Sequence, residues 1–163
     1  MSESNDPTPA IAPMKFPVHI PFVEDLGFEL HRFEGGEAEI QVIVNERLTN
    51  SFHVLHGGVS MTLLDVVMAH AARSINLHLP DRGPGLVTIE MKTTFMRPGE
   101  GRLRGVGKLL HKTTTLAFTE GTIFNEAGAI VAHATGTFKY VRKLPTDSKQ
   151  IRDLRRLDGS GSD

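Results

Sequence analysis

The chain has 163 residues, a length of about one domain, and its 18 Lys plus Arg nearly balance 19 Asp plus Glu for a formal net charge of -1. This balance excludes a global field that would draw the protein to nucleic acid or to an anionic membrane surface. The absence of cysteine excludes disulfides, a thiolate zinc site and a cysteine nucleophile, so any hydrolytic chemistry falls to carboxylate, hydroxyl, imidazole or backbone.

Residues 1–14 carry three Pro among Ser, Glu, Asn and Asp, with neither a basic n-region nor an apolar h-region. They predict a flexible segment on a cytoplasmic protein. Pro21–Leu26 reads as a short turn or helix, and Phe28–Phe33 and Ala38–Asn45 read as strands joined through Gly35-Gly36. From Gly57 to Ile75 there is no proline and no further glycine after Gly58, and apolar residues run almost all the way round the helical wheel, which predicts a helix buried on most sides. After a loop at His78–Gly85, strands are expected at Leu86–Met96, Arg102–Leu110, Thr114–Asn125 and Ile130–Val141, separated by Pro98–Gly101, His111–Thr113 and Asn125–Gly128. In the first of these, Val87, Ile89, Met91 and Phe95 are expected on one face, with Thr88, Glu90 and Lys92 on the other. Residues 143–163 are polar and charged, a flexible tail with room for a short helix at Ser148–Leu157. The sum is one α+β domain over 15–142, an antiparallel sheet wrapped around a long central helix.

The chemistry concentrates at Asn50-Ser-Phe-His-Val-Leu-His56-Gly57-Gly58 and at Asp65, two turns further on. Adjacent glycines at a helix start let a ligand approach the unpaired first-turn N–H groups and the positive end of the helix dipole; equally, they make a tight turn into the helix. Asp65 sits among Leu63, Leu64, Val66, Val67 and Met68, and neither Thr62 nor Ala69 offers it a cation. It is either a functional acid or one hydrogen-bonded on a narrow polar stripe with Thr62 and Arg73. Eight residues at 1.5 Å rise place Gly57 and Asp65 about 12 Å apart, so the two can act on one carbonyl only if a second, antiparallel copy of the helix supplies the acid.

With Asn50, Leu55-His56-Gly57-Gly58, Leu64-Asp65, the strand Leu86–Met91 ending in Phe95-Met96-Arg97-Pro98, and Thr115–Phe118 in place, the sequence resembles the hotdog-fold thioesterases over roughly residues 20–141. The branch is that of the phenylacetate-pathway thioesterase and thioesterase superfamily member 2. The resemblance implies an acyl-CoA thioesterase without cofactor or metal, a homodimer assembling to a homotetramer. The Gly57 N–H would polarise the thioester carbonyl, with Asn50 and His56 shaping the pocket. Asp65 of the neighbouring subunit would be general base or nucleophile, and Thr88 would hold water or the carboxylate. Gly58 and Val87 would line the substrate site. Relatives often carry Gly-Lys or Gly-Arg where this chain has His111-Lys112-Thr113-Thr114-Thr115. Lys112, Thr113 and Thr114 are then either coenzyme A phosphate ligands or a polar hairpin tip, and a non-catalytic acyl-CoA binding module stands as the alternative function.

Overall fold

The computed structural model describes residues 12–80 and 83–142; the expected helix at Ser148–Leu157 lies outside them. A short helix α1 (Pro21–Asp25) precedes strands β1 (Glu29–Glu34) and β2 (Glu37–Ile43). A 3-10 turn (Glu46–Leu48) leads to the central helix α2 (Gly57–Ser74), and β3 (Gly85–Phe95), β4 (Arg102–Lys112), β5 (Leu116–Phe124) and β6 (Ile130–Val141) follow. The six strands form one antiparallel sheet in the order β1-β2-β4-β5-β6-β3. Helix α2 touches all six, which a flat sheet about 4.8 Å per strand could not allow: the sheet curls around it, as the sequence predicts.

The helix lies unusually close to the sheet because β4, β5 and β6 present glycines inward. A Cβ on Gly107 would fall 2.4 Å from the Val67 carbonyl oxygen, and one on Gly121 would fall 2.9 Å from Met68 Cγ. Leu63, Leu64, Val67, Met68, Ala71 and Ala72 fill this seat against Ile40, Leu103, Ile123 and Phe138. Beyond the first turn, where Gly57, Gly58 and Val59 are all partly or fully exposed, what remains uncovered on α2 is a single stripe at i, i+3, i+4 spacing: Met61, Thr62, Asp65, Ala69 and Arg73.

The two sheet edges differ. Along β1, Met14 bridges to Leu30, its N–H donating to the Leu30 carbonyl at 2.7 Å. Along β3, no strand pairs on the side away from β6 among the described residues, and Ile89 and Phe95 stand 55% and 53% exposed. Such an edge is an open template for another strand.

Two strand expectations need correction. The alternation expected in β3 holds from Glu90 onward, with Met91 and Phe95 opposite buried Gly136 and Ala132 and with Glu90 and Lys92 on the other face, but it fails before that because the pairing with β6 slips between Thr88 and Glu90: Ile89 is an extra residue, and the bulge reverses the inward parity so that Thr88 and not Val87 shares the face of Met91. Thr88, opposite buried Phe138, faces the helix, while Glu90 lies opposite Thr137 and takes its hydroxyl bond at 2.9 Å on the outer face. Strand β4 also runs on through Lys112 instead of stopping at Leu110, because a bulge between Leu109 and His111 lets His111 and Lys112 pair with Phe118 and Ala117. Among the described residues, no helix is long and apolar enough to cross a membrane.

Candidate active site

The loop ahead of α2 is built by Asn50. Its side-chain oxygen accepts from Phe52 N–H at 2.9 Å and Val54 N–H at 3.4 Å, an Asx arrangement that folds the chain back and carries His53 through φ 62°. The Asn50 carbonyl oxygen of the side chain is thus committed to its own loop. His56 follows, pinned by its N–H to the Leu48 carbonyl at 2.8 Å.

A helix leaves its first four N–H groups without internal partners, here those of His56, Gly57, Gly58 and Val59; the first is spent on Leu48, and His56 itself accepts from two of the others while its carbonyl also takes the first regular helix bond, from Ser60. Its carbonyl accepts from Val59 at 2.9 Å and Ser60 at 3.1 Å. Its imidazole Nδ1 accepts from Gly58 at 2.9 Å. An accepting Nδ1 requires the neutral ring with its proton on Nε2. The remaining N–H, that of Gly57, meets no acceptor among the described residues and lies at the positive end of the dipole. The two glycines therefore differ. A Cβ on Gly58 would lie 3.1 Å from His56 Nδ1, whereas one on Gly57 would only touch the ring of Phe95 at 3.6 Å. Phe95 has no place in the site expected from sequence, yet its ring flanks the free donor; its face, shared with Met91, follows the expected alternation, and the Ile89 bulge brings Thr88 onto the same face.

Asp65 lies two turns along the open stripe, half-buried. Thr88 Oγ1 donates to Asp65 Oδ1 at 2.7 Å, a contact that the bulge at Ile89 makes possible. Desolvation raises the Asp65 pKa above the ordinary carboxylate value, and the Thr88 hydroxyl works in the opposite direction. A carboxylate whose pKa is raised is a stronger base than an ordinary aspartate.

The structure brings Asp65 and Thr88 together, and His56, Gly57 and Gly58 together, but leaves the two groups about 12 Å apart along one helix. Val87 pairs with Lys139 and so lies on the sheet face turned away from α2. Lys112, Thr113 and Thr114 are exposed, and Thr113 Oγ1 closes the β4–β5 turn by accepting from Leu116 N–H at 2.9 Å. The cross-strand chain Lys112, Ala117, Phe138, Thr88 sets this turn three strand spacings, about 14 Å, from Thr88. It lies toward the C-terminal half of α2, because Tyr140 donates its N–H to the Thr115 carbonyl and its hydroxyl to the Ala72 carbonyl, both at 2.9 Å.

The chain matches the Thioesterase superfamily over residues 52–132. It is 32% identical over 106 residues to acyl-coenzyme A thioesterase 13 of Homo sapiens, covering 63% of this chain and 71% of that protein. It is 28% identical over 135 residues to the medium/long-chain acyl-CoA thioesterase YigI of Salmonella typhimurium, covering 76% of this chain and 87% of that protein. Among solved structures, a conserved protein of Pseudomonas aeruginosa superimposes with a TM-score of 0.70 at 26% identity, over 77% of this chain and 97% of that one.

Proposed function

The chain belongs to the thioesterase superfamily, with its hotdog fold, and is a thioester hydrolase; from that premise we propose that it hydrolyses acyl-CoA to a free acid and coenzyme A at sites shared between two antiparallel copies. As a hydrolase it is not the non-catalytic binder left open by its unusual turn. The observation that carries the reading is the uncovered side of α2, with an unclaimed donor at Gly57 and an acid of raised pKa at Asp65, and beside it a strand edge that is unpaired among the described residues and rich in exposed apolar side chains.

In the shared site the Gly57 N–H of one subunit binds the thioester carbonyl oxygen. Asp65 of the other, held by Thr88, removes a proton from water, whose oxygen attacks the carbonyl carbon. The tetrahedral oxyanion rests on Gly57. As it collapses the C–S bond breaks, and the thiolate of coenzyme A leaves and takes the proton back from Asp65. The same carboxylate acting as nucleophile would pass through a mixed anhydride that water then cleaves. Asn50 and His56 fix the loop and the donor. Lys112, Thr113 and Thr114, beyond Asp65 toward the C-terminal half of α2, meet the phosphates of coenzyme A, and the relatives' names point to a medium or long acyl chain. Two-fold pairing of α2 and β3 makes the dimer, and dimers pair into a tetramer.

Trans-complementation tests this reading. Gly57→Pro deletes the donor at the first helical position, where proline is well tolerated. His56, at φ -61° and ψ 135°, already has the backbone that a residue before proline adopts. Asp65→Asn deletes the base. Each variant should be nearly inactive alone. After subunit exchange, activity should recover to about a quarter of the native rate, because half the dimers are mixed and each mixed dimer keeps one intact site. No recovery from proven mixed dimers would place both groups in one chain and sink the shared site.

A further inference from the structure

We propose that His56 serves hydrolysis as the N-cap of α2, a positioning residue that selects Gly57 as the only first-turn donor presented to the thioester carbonyl; this rests on the reading of Gly57 above. Of the three helical N–H groups that have no i→i−4 partner, those of Gly57, Gly58 and Val59, two end on His56 atoms, Val59 on its carbonyl and Gly58 on Nδ1. Capping is ordinarily done by Ser, Thr, Asp or Asn, whose short side chains place an oxygen over the second or third N–H. Here an imidazole does it, and the ring needs the space left by Gly58, where a Cβ would stand 3.1 Å from Nδ1 and 3.4 Å from Cε1. The His56-Gly58 pair is therefore one device: the ring claims the second N–H, and the missing side chain admits the ring.

The device acts on rate. With Nδ1 in place, Gly58 N–H cannot compete with Gly57 for the carbonyl, and the first turn keeps the direction in which Gly57 N–H points. Without it, two donors share the helix mouth and the turn frays. Misplacing a reacting group by about 1 Å costs on the order of 100-fold, so a partial loss of order at this turn should cost about 10- to 100-fold.

The test compares His56→Leu, which fills the space without capping, with His56→Ser, which caps without a ring nitrogen. In acyl-CoA hydrolysis, His56→Leu should lower kcat about 10- to 100-fold with KM changed only a few-fold, and His56→Ser should recover most of that loss. Gly58→Ala should reproduce His56→Leu, and the double variant His56→Leu/Gly58→Ala should be no worse than either single one. If His56→Ser falls as far as His56→Leu, or the two substitutions multiply, the imidazole acts on substrate and the proposal is wrong. Amide hydrogen exchange at Gly58 reads the cap without activity: slow in the native chain and in His56→Ser, fast in His56→Leu. Fast exchange in the native chain overturns the cap outright, whereas a native chain that hydrolyses no acyl-CoA yet protects Gly58 overturns only the functional reading on which the rate effect depends.

Discussion

Helix α2 carries an acid and a histidine five residues apart, Asp65 and His70, and the chain treats them in opposite ways. His70 is fully enclosed. Phe16 of the N-terminal segment and Phe33 of β1 both stand edge-on to its ring at 5.4 Å. Its Nδ1–H donates to the Val66 carbonyl at 2.7 Å, and its Nε2 meets no partner among the described residues. Burial pushes its pKa down to about 4, against the Val66 bond and helped by the nearby charge of Arg73. Asp65 points the other way round the helix, to the stripe beside the open edge of β3, where Thr88 holds it. Burial alone does not make a functional group: the sealed histidine is neutral and inaccessible, and the half-covered acid is perturbed and reachable.

The sharpest way to break this contrast is to neutralise each group in turn. Asp65→Asn keeps an oxygen to accept from Thr88 and removes the desolvated charge, so the fold should be as stable as before or more so, while kcat falls about 10²- to 10⁴-fold. Steady-state kinetics with thermal unfolding on the same sample checks both halves. A loss of activity that tracked a loss of stability would mean that Asp65 is structural.

The second effect is on stability and has the opposite pH sign. A histidine whose pKa is depressed on folding from 6.5 to about 4 binds fewer protons folded than unfolded, so its stabilisation is complete above pH 6.5 and is lost as pH falls toward 4. The span amounts to roughly 3 kcal/mol at about 1.4 kcal/mol per unit. Denaturant unfolding between pH 8 and 4 should show this loss in the native chain and its absence in His70→Leu, with kcat at pH 8 little changed. Asp65 works in reverse: its raised pKa makes the folded chain less stable as pH rises past the unfolded value, and Asp65→Asn should remove that slope. Identical pH profiles for native and His70→Leu would show that His70 is not sealed.

The contrast also marks what the sequence could reveal. Strands and helix were legible because glycine and proline punctuate them and because the run from Val59 to Ile75 has neither. The bulge at Ile89 was not, since two residues opposing one is a property of the partner strand β6 and not of the local pattern. That single slip puts Thr88 on the same face as Met91 and Phe95. The glycines of β4, β5 and β6 did carry a signal, because glycine inside a strand marks a close backbone approach, and here it marks the seat of α2. Asp65 stood out as an acid in an apolar run; its link to Thr88, 23 residues away, came only through resemblance. His56 was noticed as part of the motif, but a histidine cap has no place in the usual capping pattern.

The smallest expected effect concerns the phenylalanine on the open side. Phe16 is buried and closes over His70, whereas Phe95 leaves about half its surface exposed while its ring lies 3.6 Å from the Cβ position of Gly57. A side chain that stabilised only the fold would not be left so open at the one free donor of the helix. Truncation to alanine removes apolar surface that the acyl chain and the partner subunit would cover, and losing on the order of 1 kcal/mol of such contact corresponds to a few-fold in kcat/KM. Phe95→Ala should therefore lower kcat/KM about 3- to 10-fold, more for long acyl-CoA than for short, with little change in unfolding of the subunit itself. Chain-length profiles of the two proteins check this. An equal loss across all chain lengths would assign Phe95 to the dimer contact alone, and a large loss of subunit stability would place it in the core with Phe16.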